Sequence, residues 1–354
     1  MTRIVPADED AIAAAVARWH DGLLVAFPTE TVYGLGAWAR HDGGLRAVYE
    51  AKGRPASHPL IVHLPDAGAL EGWAREVPKA AWRLAEAFWP GPLTLVLKRA
   101  EGVPDRVTGG QTTVALRVPA HPTAQALLRA FGDGIAAPSA NRFGHVSPTT
   151  AQHVAAEFPS LDLLVVDGGS CEVGLESTIV DLSADRPRLL RPGGVRLASV
   201  VEVLGEPVED VSASPTIELG EPGPGDAVPR VPGSLERHYA PTTPAFMVGE
   251  GDASFTSEDP ARAGCAVLAR RPAPAGYRGA WRALPDDPDG YARALYATLR
   301  ELDDAGHPCI LIERVPDDDR WQAVRDRLQR ATAGSSAVED RQRTEPPDAH
   351  RRDT

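Results

Sequence analysis

The stretch from Phe27 to Ala39, FPTETVYGLGAWA, is dense in hydroxyls and ends on Gly34-Leu35-Gly36, where backbone can approach a ligand closely. Lys52-Gly53-Arg54 sets two cations one residue apart. Such a pair suits a polyphosphate, because the Arg fork grips oxygens in a plane while Lys acts as a point charge. His63 ends the apolar run Leu60-Ile61-Val62. Ala137-Pro138-Ser139-Ala140-Asn141 supplies a hydroxyl and an amide, and Ser147-Pro148-Thr149-Thr150 has the chemistry of a helix start, where anions bind. Each segment also has a plainer reading: a glycine-rich turn, a basic helix end answering the macrodipole, a rim histidine, an ordinary cap. No single one decides the chemistry.

The elements that must position these groups follow the apolar runs. Ala7 to His20 reads as a helix closed by Asp21-Gly22, and Leu23 to Phe27 as a strand. Further runs at Leu60 to Leu64, Leu93 to Leu97, Thr113 to Val118, Leu163 to Val166 and Ser177 to Leu182 predict an α/β fold. Ser177 to Leu182 with Pro187 to Leu190 looks like a hairpin, so the sheet is expected to be mixed. This unit should close near Leu204, and Glu206 to Pro244 shifts to Pro, Gly, Ser and Glu as a linker does. Beyond it, strands at Cys265 to Leu268 and Cys309 to Glu313, with helices around Tyr291 to Leu302 and Trp321 to Arg330, predict a second, smaller α/β unit. Gly334 to Thr354 is polar and predicts disorder.

Composition narrows the classes. A chain of 354 residues is expected to hold two domains, and a formal net charge of -12 repels a phosphate backbone, so stable nucleic-acid binding is not expected. Cys171, Cys265 and Cys309 are odd in number and far apart, which predicts neither a disulfide framework nor a metal-ligand set, and fits a reducing cytoplasm. No apolar run approaches the roughly 20 residues of a membrane span. The phosphate-loop motif G-x-x-x-x-G-K-[ST], a complete G-x-G-x-x-G, H-E-x-x-H and G-x-S-x-G are all missing, which removes the commonest nucleotide and hydrolase readings.

In combination, Phe27 to Gly36, Lys52-x-Arg54, Trp89 to Thr94, Ser139-x-Asn141, Gly174 to Thr178 and Leu190 to Gly193 resemble, in order and spacing, the YrdC family of threonylcarbamoyl-AMP synthases. Pro232-Gly233 and His238-Tyr239-Ala240-Pro241 resemble the linker of its long form. The resemblance implies a YrdC-like twisted, mixed open sheet over residues 1–205, a linker over 206–243 contacting the active site, a Rossmann-like α/β domain over 244–331 and a tail over 332–354. It implies that Thr31, His63, Arg117, Ala137 and Ser177 contact L-threonine, and that Arg54, His58, Thr113, Ser139, Asn141, Ser147, Arg191 and Tyr239 face ATP. Lys52 and Arg54 would supply the catalytic charge, with Mg2+ held through the ATP phosphates. Threonine, bicarbonate or CO2, and ATP would give an adenylate and pyrophosphate, consumed by a threonylcarbamoyl transferase complex acting on tRNA. His58 and His145 depart from the family's more frequent Asn and Arg. His63 is a candidate base by the usual range of its pKa. The alternatives are a carbamoyl-adenylate-forming domain of a carbamoyltransferase, although the cysteine pairs and acylphosphatase segment of the hydrogenase factors are missing, and an RNA-binding module, which overall acidity disfavours.

Overall fold

Asp8 caps the first helix by accepting from the Ala11 amide, and Trp19 on its buried face meets Phe27 and Phe131 edge-on, with ring centroids 5.8 and 5.4 Å away. Around such contacts the computed structural model describes residues 1–212, 228–249 and 264–333. The expected tail from Gly334 onward and the centre of the linker lie outside the described residues.

The larger unit contains strands β1 (Arg3–Pro6), β2 (Val25–Phe27), β3 (Gly34–Trp38), β4 (Ile61–His63), β5 (Leu93–Lys98), β6 (Thr113–Arg117), β7 (Ile135–Ala136), β8 (Leu164–Asp167), β9 (Thr178–Asp181), β10 (Arg188–Arg191) and β11 (Glu209–Asp210). Its helices are α1 (Glu9–His20), α2 (Asp42–Lys52), α3 (Lys79–Phe88), α4 (Asp105–Thr108), α5 (Pro122–Phe131), α6 (Ala151–Glu157) and α7 (Leu197–Leu204). The strands form one sheet in the order β1-β8-β2-β3-β7-β4-β6-β5-β9-β10-β11. It is mixed: β4 runs parallel to β6 and β5 to β9, while β2 with β3 and β9 with β10 are antiparallel. The smaller unit carries β12 (Ala245–Val248), β13 (Ala266–Ala269), β14 (Trp281–Ala283), α8 (Pro288–Asp304), β15 (Ile310–Glu313) and α9 (Gln322–Thr332). Its strands are all parallel, in the order β12-β15-β13-β14.

β1, β3 and β7 fall where apolar periodicity is weak. Gly36 in β3 shows why: a Cβ there would strike the Phe27 ring, so the close pairing of β2 with β3 requires glycine and leaves no hydrophobic signal. The two units share an apolar cluster, in which Val32, Val146, Leu175 and Tyr239 pack with Tyr296, Leu299 and Leu328. Gly174 lies so close to the Arg293 backbone that a Cβ would collide with it.

Two expectations are corrected. Ser147 does not cap a helix; Thr150 does, accepting from the His153 amide at 3.2 Å. The Pro148 and Thr149 carbonyls accept from Tyr33 and Cys171, which holds this segment between two loops and delays the helix to Ala151. Cys265 and Cys309 form a disulfide between residues 44 apart, because β13 and β15 are parallel neighbours that begin side by side. Cys171 is the remaining free thiol and is buried.

Titration of the denatured protein with a thiol reagent should therefore find one thiol before reduction and three after it. Reduction should also lower resistance to urea by about 4 kcal/mol, the scale of closing a loop of this length. Three thiols before reduction would show the pair to be open.

Candidate active site

β4 and β6 pair in register so that His63 and Arg117 end side by side, facing the buried loop after β2. In that loop the Thr29 hydroxyl accepts from the Thr31 and Val32 amides and donates to the Val32 carbonyl at 2.6 Å, closing a tight hydroxyl turn. Arg117 pairs with Glu30 at 2.7 Å and donates to the Thr31 hydroxyl at 2.9 Å and the Gly91 carbonyl at 3.1 Å. Burial first, then the Arg117 charge, pushes the His63 imidazole down to about 3, so this ring is neutral at physiological pH.

Opposite them stand Ser177 and Arg191. The Arg191 guanidinium donates to the Ser177 carbonyl at 3.0 and 2.9 Å and to its hydroxyl at 3.1 Å, while its other arm reaches the Pro232 carbonyl at 2.8 Å. The linker and this wall are thereby tied together. Tyr239 sits beyond Pro232 with φ +58, a left-handed conformation that is uncommon for a bulky side chain and is held here by packing. Its ring stacks on Tyr296 at 5.9 Å and lies against the Arg327 guanidinium at 5.0 Å. Gly233, at φ +83, faces the Tyr239 hydroxyl where no Cβ would fit.

These groups enclose a cavity of about 40 Å³, lined by Thr31, Arg54, His63, Arg117, Ala137, Ser139, Ser177, Arg191 and Tyr239 among the expected residues. Arg54 enters from just beyond α2, where Gly53 at φ +62 stops the helix; it donates to the Pro59 carbonyl and lies over the Phe143 ring. Among the described residues, Arg54 Nε, His63 Nδ1, His238 Nδ1 and the Tyr239 hydroxyl are buried without a hydrogen-bond partner, and all four belong to cavity-lining side chains. Buried polar atoms are normally paired, so these mark where a polar ligand would be recognised.

The other expected residues stand behind the wall. Lys52 is buried and donates to the Ser139 and Asn141 carbonyls, both at 2.5 Å. Burial, then Arg54, pushes its amine well below the usual lysine range. Asn141 donates to the Arg142 and His145 carbonyls, and Ser147 donates to Glu176 at 2.6 Å. His58 packs edge-on against Phe143, and burial followed by Arg54 lowers it to about 4. Thr113 begins β6, about 13 Å of strand away from Arg117 at its other end. His145 is paired with Glu157 at 3.2 Å, outside the cavity.

Glu30, Glu176, His238 and Arg327 went unassigned in the sequence. Glu176 lay within the Gly-Leu-Glu-Ser-Thr segment and His238 next to Tyr239, so both were visible but given no role; Arg327 carries no local signal. Among the described residues no group of three or more His, Cys, Asp or Glu side chains is placed to hold a metal ion, and no helix is long and apolar enough to cross a membrane.

Residues 17–193 match the family described as telomere recombination, and residues 196–333 match threonylcarbamoyl-AMP synthase, C-terminal domain. The chain is 41% identical over 332 residues to a threonylcarbamoyl-AMP synthase of Pyrococcus abyssi and 37% identical over 342 residues to one of Bacillus subtilis, each match spanning 91% of this chain and 93% of the relative. The crystal structure of Pyrococcus abyssi Sua5 complexed with L-threonine superposes with a TM-score of 0.81 at 38% identity, covering 95% of this chain and 98% of that one.

Lys52→Met strips two buried carbonyls of their donor, so it should cost about 1–3 kcal/mol in urea unfolding as well as activity. Unchanged stability would show that the amine does not hold the Ser139 loop. For His63, the unfolded chain binds a proton near about 6.5 and the folded chain only near about 3. The stability contributed by this neutral ring is complete above the unfolded value and is lost as pH falls toward the folded one. His63→Asn should accordingly lose less stability than the parent between about pH 7 and about pH 4 in thermal melts; equal losses would mean that the folded ring titrates normally.

Proposed function

The chain belongs to the Sua5/YrdC family of threonylcarbamoyl-AMP synthases, and from that premise we propose how its cavity performs the reaction. The protein is a nucleotidyltransferase that forms L-threonylcarbamoyladenylate. The amine of L-threonine adds to CO2 with loss of a proton, and a carbamate oxygen then attacks the α-phosphorus of ATP as pyrophosphate leaves. No covalent protein nucleophile is required; positioning and fixed charge suffice.

One observation carries the assignment of roles: Arg54, Arg117 and Arg191, from three separate elements, converge on one cavity with Ser139 and Ser177. Arg117, its plane set by Glu30 and Gly91, is the partner for the threonine carboxylate. Thr31, His63, Ala137 and Ser177 complete the amino-acid end. Arg54, Ser139 and Arg191 face ATP, with Tyr239 closing over it. His63 is too weak a base at about 3 to take the amine's proton and acts as a neutral hydrogen-bonding wall. Lys52, Asn141 and Ser147 act through the loops they hold, and His58 through Phe143 and Arg54.

Mg2+ would supply further charge neutralisation on the phosphates when bound. Its protein contacts would be few, since both oxygens of Glu176 are already taken by Ser147, Tyr296 and Arg327. The limits 1–205, 206–243, 244–331 and 332–354 remain our division of the chain, and a cytoplasmic enzyme feeding a tRNA-modifying transferase is our reading of its setting.

Nucleotide pockets enclose roughly 300 Å³ or more, whereas this cavity measures about 40 Å³. ATP admission therefore requires movement of the linker residues Pro232, Gly233, His238 and Tyr239. With ATP present, pyrophosphate release should depend on L-threonine and bicarbonate together, and mass analysis should find the threonylcarbamoyl adenylate. Equal release when carbamoyl phosphate replaces both would point instead to a carbamoyl-adenylate-forming enzyme.

A further inference from the structure

Glu176 is a buried carboxylate on the cavity wall, next to Ser177 and in one cavity with Arg54 and Arg191, cations that suit a polyphosphate. A carboxylate there repels phosphate unless its charge is neutralised. Its neutralisation comes from far along the chain: Arg327 on α9 donates to Glu176 at 2.8 Å, and Tyr296 on α8 donates to it at 2.9 Å. The Ser147 hydroxyl takes the other oxygen at 2.6 Å. Arg327 is fully buried, bonds the Pro192 carbonyl at 3.0 Å, pairs with Asp326 at 2.5 Å, and lies against the Tyr239 ring. One guanidinium from the smaller unit thus touches the acid on the wall, the chain beside Arg191 and the linker aromatic.

We propose that Arg327 is a positioning residue for adenylation: from the smaller unit it cancels the charge of Glu176 and fixes Tyr239, which makes the cavity acceptable to ATP. The inference rests on ATP occupying this cavity. The smaller unit is then a built part of the nucleotide site, and its docking sets ATP affinity while leaving the threonine end, around Arg117 and His63, to the larger unit alone.

The charges around Glu176 make its ionisation depend on Arg327. The groups facing it are Arg327 and its partner Asp326 on α9, Tyr296 on α8, Arg191 on β10, and His238 and Tyr239 in the linker. Burial raises the carboxyl, but Arg327 and then Arg191 outweigh it and hold Glu176 down at about 2, so it stays ionised and compensated across the working pH range. Removing Arg327 leaves burial less opposed and raises this value. In such a variant Glu176 is protonated and harmless to ATP at low pH, and becomes an uncompensated anion facing the phosphates as pH rises.

The test compares Arg327→Met, Arg327→Lys and the double variant Arg327→Met/Glu176→Gln in the full chain, with rates normalised to folded protein by circular dichroism. Arg327→Met should raise the KM for ATP at least about 10-fold, in keeping with the cost of stranding one partner of a buried pair. The KM for threonine should change little, and the ATP defect should grow with pH. Arg327→Lys should retain part of the ATP affinity, and the double variant should recover part of it with a flat pH profile. A proportional loss of kcat with both KM values and the pH profile as in the parent would overturn the proposal, as would a double variant no better than Arg327→Met. Should Arg327→Met not fold, the lysine and double variants carry the same comparison. Arg54→Ala separates the two readings: if it raises the KM for ATP while Arg327→Met does not, only the role of Arg327 fails; if neither does, ATP does not use this cavity.

Discussion

Three guanidinium groups and a lysine are buried around one small cavity, and the desolvation cost of each must be met by a partner. Arg117 is met by a carboxylate, Glu30. Arg54, Arg191 and Lys52 are met by backbone carbonyls of Pro59, Ser177, Pro232, Ser139 and Asn141. The difference matters for function, because a carboxylate cancels a charge whereas a carbonyl dipole only solvates it. Arg54 and Arg191 are therefore solvated by carbonyls rather than directly ion-paired to a carboxylate. At Arg117, the Glu30 pair leaves a nearly neutral group whose value lies in orientation.

Because the partners are carbonyls, the loops that carry them cannot be arbitrary. Lys52, the last residue of α2, reaches the Ser139 and Asn141 carbonyls, and Arg191 reaches Pro232 because the linker lies beside it. Tyr239 then takes up its left-handed conformation over Gly233, stacked on Tyr296 and covered by Arg327. The same contacts that satisfy a buried cation thus fold the linker over the cavity. Lifting the linker off the cavity would break the Arg191 to Pro232 bond and expose the buried Tyr239 ring, so the linker and the cavity wall are coupled through one guanidinium.

Much of this was legible in the sequence, and the failures have physical causes. The apolar runs behind β2, β4, β5, β6, β8 and β9 were readable because these strands are buried on both faces. β3 was hidden because its packing depends on glycines, and β7 because two residues give no period. The roles expected for Arg54, Arg117, Ser139, Ser177 and Arg191 come from the resemblance, because the single segments have plainer readings, and the structure brings all five to one cavity. Ser147 was misread as a cap because residue type cannot reveal that the carbonyls of Pro148 and Thr149 are already engaged by distant amides. Lys52 is expected to face phosphate, and its spacing to Arg54 is compatible with either direction; in the structure its amine donates to the Ser139 and Asn141 carbonyls. The Cys265 to Cys309 disulfide and the Arg327 to Glu176 pair depend on which strands and helices become neighbours, and local sequence does not contain that.

The protonation pattern bears on which part of the reaction the protein controls. His63 and His58 are held at about 3 and about 4, His238 lies well below the ordinary imidazole range through burial, and Glu176 stays ionised at about 2. Arg54 is lowered by burial only to about 10. None of these groups changes charge between about pH 6 and about pH 8, so their share of the field in the cavity is constant there. A site built for proton transfer keeps a group poised near neutrality; this one keeps its histidines His63, His58 and His238 and the carboxylate Glu176 away from it. Fixed charge and positioning, rather than proton transfer by a poised side chain, are what these residues offer to the adenylate-forming reaction.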